Sequence, residues 1–350
     1  MNFTLPHSML VGMVVAGIAV ADADRDEVER GKPQLADTTM DPDVIAARPS
    51  VAFLPQAVAS FGAAVVGDWL YVYGGHTGEK HAHSRDNVSG AFQRINLRAG
   101  GDWQALPGGT PLQSVALVAH DGHLYRIGGM TALNAPGEDE DMRSGDEVMR
   151  FDPGTSRWSA MPSLPEGRSS HDAVVMGDKI YVAGGWKLEG GSETAAWHDS
   201  AWALDLSASD RQWRELPKPP FQRRALALAA AGGRLFVLGG FTPSAVTSSD
   251  VFVFDPSTQS WTSGVSLPID GFGMSAYGIG DEVYVSGKGG EVFSVGAYGT
   301  EWRSLAQLSH PRIFHRLVAA ESNALLAVGG AEKGGHVRNI ERIELGVRDR

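Results

Sequence analysis

The sequence predicts an all-β fold, a six-bladed β-propeller, from three observations. A hydrophobic strand ending in Gly-Gly recurs along the chain, a Trp-x-x-Leu-Pro segment or a near variant follows, and each interval divides into four short strands by its alternation and turn signals. The doublets are Gly74-Gly75, Gly128-Gly129, Gly184-Gly185, Gly239-Gly240 and Gly329-Gly330, after the strands WLYVY, HLYRI, KIYVA, RLFVL and ALLAV. A sixth copy, EVYVS, runs into Gly287-Lys288 and lacks the second glycine. Trp103, Trp158, Trp213, Trp261 and Trp302 follow one another at intervals of 55, 55, 48 and 41 residues. A period of this length means supersecondary units that stack or stand around an axis.

Taken from the N-terminus, the first 21 residues carry no Lys, Arg, Asp or Glu, and Met9 to Ala21 is an apolar run ending in the small-x-small pattern Ala19-Val20-Ala21. That reads as a secretory signal peptide over 1–21, because the run is shorter than the ~20 residues that span a bilayer. A retained membrane anchor is the competing reading. Residues 22–48 are acidic and nearly free of aromatic residues, which reads as a flexible linker. The propeller then occupies 49–350.

The third unit shows the four-strand grammar well: HDAVVM, KIYVAGG, SAWALDL and RQWRELP. Asp152-Pro153 and Asp255-Pro256 stop two of the third strands, because proline cannot donate to a ladder. The last unit has three strands, and Val51 to Pro55 matches Trp103 to Pro107 position for position with Val51 in place of the tryptophan. The N-terminal strand is therefore expected to complete the last blade and leave no open edge.

These residues resemble the kelch family in the Gly-Gly after an aromatic-containing strand, the downstream Trp, and Arg-x-x-His at Arg168 to His171 and Arg312 to His315. The resemblance covers roughly residues 50 to 345 and implies a kelch propeller, a fold that serves enzymes, glycan binders and protein-interaction platforms. In length, leader and blade number the chain also resembles the bacterial N-acetylneuraminate epimerase (mutarotase) group. That resemblance implies an arginine for a substrate carboxylate, here Arg168, Arg223 or Arg312, and a proton carrier, here Glu189 or Glu193. Galactose oxidases share kelch blades but need a cysteine for their radical cofactor, and this chain has none. An intracellular adaptor role is disfavoured by the apparent leader.

The formal net charge of −11 opposes a phosphate backbone, so nucleic acid is excluded as a partner. The absence of cysteine removes thiolate metal sites and cysteine nucleophiles. The loops that feed the channel-lining strands should bring Arg168, Arg223, Arg224 and Arg312 together with His171 and His315, a cationic spot suited to a carboxylate. The alternative is that Arg-x-x-His only ties the blades together. The blade-three connection holds Trp186, Glu189, Glu193 and Trp197, where a tryptophan either stacks on a ligand or packs between blades. His76, His81 and His83 in blade one, and the acidic run Glu138 to Asp141 in blade two, read as solvated loops, with a transition-metal and a calcium site as the respective alternatives. The expected activity is ligand binding or protein interaction, for a glycan or acidic ligand on the loop face, with epimerase or mutarotase chemistry on a sialic-acid-like sugar as the alternative and catalytic residues unassigned. No metal, no cofactor, no membrane span after cleavage, a monomeric state and an exported location complete the expectation.

Overall fold

The computed structural model describes residues 45–46, 48–49, 52–321 and 323–346. The segment 1–21, expected to be a leader, and all but the end of the expected linker 22–48 lie outside the described residues. Pairing begins at Ile45, ahead of the expected boundary at 49: Ile45–Ala46 runs parallel to Arg303–Gln307 on the outer edge of blade five.

Six sheets of four antiparallel strands follow the sequence repeat, blade five carrying the added parallel strand. Blade three runs Asp172–Met176, Lys179–Ala183, Ala201–Asp205 and Trp213–Glu215 from the inside outwards. The inner strands of the other blades are Gly62–Val66, Ala116–His120, Ala227–Ala231, Ser275–Ile279 and Arg316–Glu321. Apolar clusters lie between successive sheets, as between blades four and five, where Phe236, Leu238 and Val253 meet Val283 and Val285. Every tryptophan of the repeat donates its indole N–H to a carbonyl of the preceding unit: Trp103 to Phe53, Trp158 to Pro107, Trp213 to Pro162, Trp261 to Pro217 and Trp302 to Val265.

The ends meet as expected, but in a different register. Arg48 lies opposite Arg342 and Pro49 opposite Glu341, so pairing starts before Val51. The reason is that Leu54-Pro55 repeats the longer blades. The amides of Leu54, Leu164 and Leu267 bond to Arg338, Asp146 and Ser249 at 2.8, 2.8 and 2.7 Å. Six residues before Leu164, Leu267 and Leu308 stand Trp158, Trp261 and Trp302, and six before Leu54 stands Arg48. Alignment to the shorter blade one misplaced that position by three residues.

At the axis, one residue ahead of each inner strand's approach takes a left-handed conformation: Ser60, Ser114, Ser170, Ala225, Gly273 and Phe314, with φ between 50° and 63°. Their amides bond in a circle. Ser114 donates to Ser60 at 2.6 Å, Ser170 to Ser114 at 3.2 Å, Ala225 to Ser170 at 2.8 Å, Gly273 to Ala225 at 3.0 Å, Phe314 to Gly273 at 2.6 Å and Ser60 to Phe314 at 3.0 Å. The next residue in five blades, Phe61, Val115, His171, Leu226 and His315, presses on the second glycine of the doublet. A Cβ there would lie 2.7 to 2.9 Å from that residue's own Cβ. This contact, with φ of 89° to 107° at those glycines, is why the doublet recurs. Just below the ring, Arg316 of blade six reaches the opposite blade. It bonds Asp172 at 2.8 Å and the carbonyls of Phe61 and Val115 at 2.9 and 3.2 Å, bridging the channel.

His171 and His315 occupy a position that blade four fills with Leu226. Both are buried; the His171 ring lies against the Ile127 carbonyl, and no hydrogen bond reaches either ring nitrogen of His315. Burial, and then the charges of Arg312 and Arg316, hold His315 down at about 3, and burial holds His171 well below the usual imidazole range. The unfolded chain protonates near 6.5 and so binds more protons than the folded one below that pH. Stability should therefore fall as pH drops through 6.5, by up to ~1.4 kcal/mol per pH unit for each histidine. His315→Leu should fold, following blade four, and should flatten the acid side of a urea-melt stability profile; an unchanged slope would contradict the assignment.

Candidate functional site

The Arg-x-x-His arginines do not converge on the channel mouth. Arg168 is buried and donates to the carbonyls of Gly184 and Ser200 at 2.7 and 3.2 Å and to the Ser200 hydroxyl at 2.8 Å. Arg312 likewise binds the Gly329 and Asn339 carbonyls and the Glu341 carboxylate, and Arg223 binds those of Gly239 and Asp250 together with the Asp250 carboxylate. Each arginine thus ties its own blade's Gly-Gly to the start of its third strand. Their donors are spent on the scaffold, as are the interior positions of His171 and His315.

Arg224 is different because it stands one residue further on. In five blades the residue just before the ring pairs with the residue just after Gly-Gly: Ala59 with His76, Gln113 with Met130, Ser169 with Trp186, Arg224 with Phe241 and Ile313 with Ala331. Successive residues of an extended segment point to opposite sides. Arg223 therefore faces into its blade while Arg224 faces the rim of the loop side. Among these five pre-ring residues it alone carries a charge.

Its guanidinium lies 4.1 Å over the Trp186 ring, 5.0 Å over Phe241 and 5.6 Å over Trp197. Among the described residues no carboxylate pairs with it, and its Nε is buried without a partner. Burial lowers it to about 10, still a full cation at neutral pH. The aromatic surface continues from Phe241 to Phe272 at 5.3 Å and on to Phe314 at 5.2 Å, tilted and edge-to-face in turn, so an arc of rings follows the mouth over blades three to six.

The opposite side of the rim is lined by neutral imidazoles. His76 sits ring to ring with His336 of blade six at 4.9 Å and with His83 at 5.2 Å. Its Nδ1 is 3.2 Å from Nε2 of His336, and the Gln113 amide reaches His83 Nδ1 at 3.1 Å. Burial is the main cause that takes His83 and His336 to about 4; the neighbouring His76, and for His83 also His81 and Arg224, depress them further. Among the described residues no group of three side chains is arranged to hold a metal ion.

Blades two and three build the rim from paired loops. Met142 and Arg143 lie opposite Gly190 and Glu189, and Trp186–Lys187 pairs with Ala196–Trp197. Trp186 packs with Val88, Met130, Met142 and Leu188 in a small apolar cluster, so it supports the loop and offers one face to Arg224. Glu189 is exposed and bound to Lys187 at 2.7 Å. Glu193 is exposed beside Glu140, whose carboxyl is raised by burial and by the Glu193 charge, with His81 opposing. The other acids of the blade-two run are dispersed, Glu138 onto the Ala135 amide and Asp141 onto Arg143.

Sequence reasoning named Arg224, Trp186, Trp197 and Glu193, read His76, His83 and Glu140 as parts of solvated loops, and missed His336, Phe241, Phe272 and Phe314. A positional signal was present: His76, Trp186 and Phe241 each directly follow a Gly-Gly.

Comparison with known proteins agrees with this architecture. Residues 62–288 match the profile of the KLHDC2/KLHL20/DRC7 kelch-repeats domain. The chain is 28% identical over 241 residues to the Kelch-like protein terF of Aspergillus terreus, covering 65% of this chain and 49% of that protein. It is 29% identical over 214 residues to Beta-scruin of Limulus polyphemus, covering 56% of this chain and 22% of that protein. The match thus spans about half the length of the first relative and much less of the second. The solved structure of YjhT superposes with a TM-score of 0.66 at 18% identity, over 85% of this chain and 97% of that one. The chain belongs to the kelch-repeat family.

Proposed function

We propose that this kelch propeller is a binding module whose loop face takes an acidic ligand, a glycan or a protein segment that presents a carboxylate to Arg224. The observation that carries the reading is the Arg224 guanidinium, charged, partly buried, stacked on Trp186 and Phe241, and without an acid of its own. A buried cation without a partner costs free energy that an incoming carboxylate recovers, through paired hydrogen bonds in a fixed fork. The flanking Phe272 and Phe314 rings supply apolar surface for the rest of the ligand, and the neutral His76, His83 and His336 supply polar contacts without a competing charge. Arg168, Arg223, Arg312, His171 and His315 take no part in contact. Titration with acidic oligosaccharides and with Asp/Glu-rich peptides, followed by tryptophan fluorescence, should show saturable quenching. Arg224→Gln should weaken it at least tenfold, and binding unchanged in that variant would refute the reading.

A second reading, epimerase or mutarotase action on a sialic-acid-like sugar, is favoured by Glu140, a half-buried carboxyl whose raised pKa suits it to hold and return a proton. In that reading Glu140 replaces Glu189 as the proton carrier, because Glu189 is exposed and tied to Lys187. Exchange between sialic acid anomers, followed by NMR, should then be accelerated by the protein and slowed by Glu140→Gln; no acceleration by the unmodified protein would leave the binding module alone.

We also propose that the apolar segment Met9 to Ala21 directs export. Fused to a reporter, residues 1–48 should deliver it outside the cell with cleavage after Ala21, and retention of the uncleaved fusion in the cytoplasm would overturn this.

A further inference from the structure

The face opposite the loops carries a cleft of about 290 Å³ between blades two and three. Its volume stands at the small end of the ~300 Å³ and larger pockets that hold ligands. His120, Asp121, His123, Tyr125 and Arg150 line it from blade two, and Asp178 and Arg211 from blade three. None of these belongs to the surface described above.

The hydrogen bonds fix the His123 tautomer. His123 Nδ1 lies 2.7 Å from the Asp121 carbonyl and can only donate there, so Nε2 is left to accept from Arg150 Nη2 at 2.7 Å. That uses one of the five N–H groups of Arg150, and its Nε is buried with no partner. Arg211 donates Nε to the Leu206 carbonyl at 3.1 Å. Among the described residues neither guanidinium has a carboxylate partner. Of the two acids in the cleft, Asp178 is paired with His120 at 3.2 Å, and Asp121 stands at an exposed turn. Both arginines and Asp121 line the cleft with the buried Tyr125, whose phenol feels the charges of all three.

Two guanidinium groups from neighbouring blades that line one cleft, with most of their terminal N–H groups unspent, form a receptor for tetrahedral oxygens. A carboxylate matches one such fork; a phosphate group offers three oxygens and close to two charges, enough to engage both. We propose that this cleft is a second ligand site, which takes a phosphate group between Arg150 and Arg211, either as the free ion or as a phosphomonoester.

The test is calorimetric titration of the full chain at low salt with inorganic phosphate, and in parallel with methyl phosphate, a phosphomonoester that carries no carboxylate for Arg224. Both should bind saturably at one site, and the tighter of the two identifies the source. Arg211→Gln, at an exposed position that leaves the fold intact, and Arg150→Gln should each weaken binding at least tenfold. Asp121→Asn should tighten it several-fold by removing the opposing charge, and Arg224→Gln should leave it unchanged. A wild-type chain that shows no saturable heat, an Arg211→Gln variant that binds as well as the parent, or loss of binding in Arg224→Gln would each overturn the proposal.

Discussion

Six amide hydrogen bonds, passed from blade to blade around the axis, are the constraint on which the rest of the molecule depends. Each is made by a residue with φ near +55°, and five of the six are not glycine. That conformation costs an L-residue roughly 1 kcal/mol or more, and a backbone hydrogen bond contributes about the same net amount. The circle is thus close to neutral bond by bond, and holds only because all six inner strands are in place to impose it. Closure at the chain ends matters for the same reason: the strand at Arg48–Pro49 seals the edge of blade six, so that Ser60 can donate its amide to the Phe314 carbonyl.

The circle also sorts the arginines. Counting back from a ring residue, the first position lies on the rim of the mouth and the second turns into the blade, where its donors meet the Gly-Gly carbonyl. Arg223 and Arg224 are neighbours in sequence with opposite fates. One stabilises the scaffold through the Gly239 and Asp250 carbonyls; the other is a stacked cation open to a ligand. A binding surface on such a frame is preorganised, because the backbone of each rim residue is fixed by its bridge to the residue after Gly-Gly.

The fold was largely legible in the sequence because the repeat is imposed by contacts made in almost every blade. The second glycine of each doublet and the indole N–H of each Trp carry the same local geometry each time, so their spacing reports it. What the sequence hid are features that occur once. The register of the closing strand depends on whether Leu54 matches the short blade one or the longer blades two and four, and adjacent residues read alike in both. The partnership of His76 with His336 joins the two ends of the chain, and nothing local in either loop announces it. Arg168, Arg223 and Arg312 were read as ligands or as ties between blades, because the residue type suits both uses; their environment, visible only in three dimensions, turns their Nη groups to the carbonyls of their own blade.

The most direct test of this architecture is native-state amide hydrogen exchange resolved at single residues. The amides of Ser60, Ser114, Ser170, Ala225, Gly273 and Phe314 should exchange together, with protection equal to that of the inner strands and lost only on global unfolding. If one or more of them exchanged orders of magnitude faster than its own inner strand, while the others stayed protected, the circle would be broken at that blade and the account of closure would be contradicted.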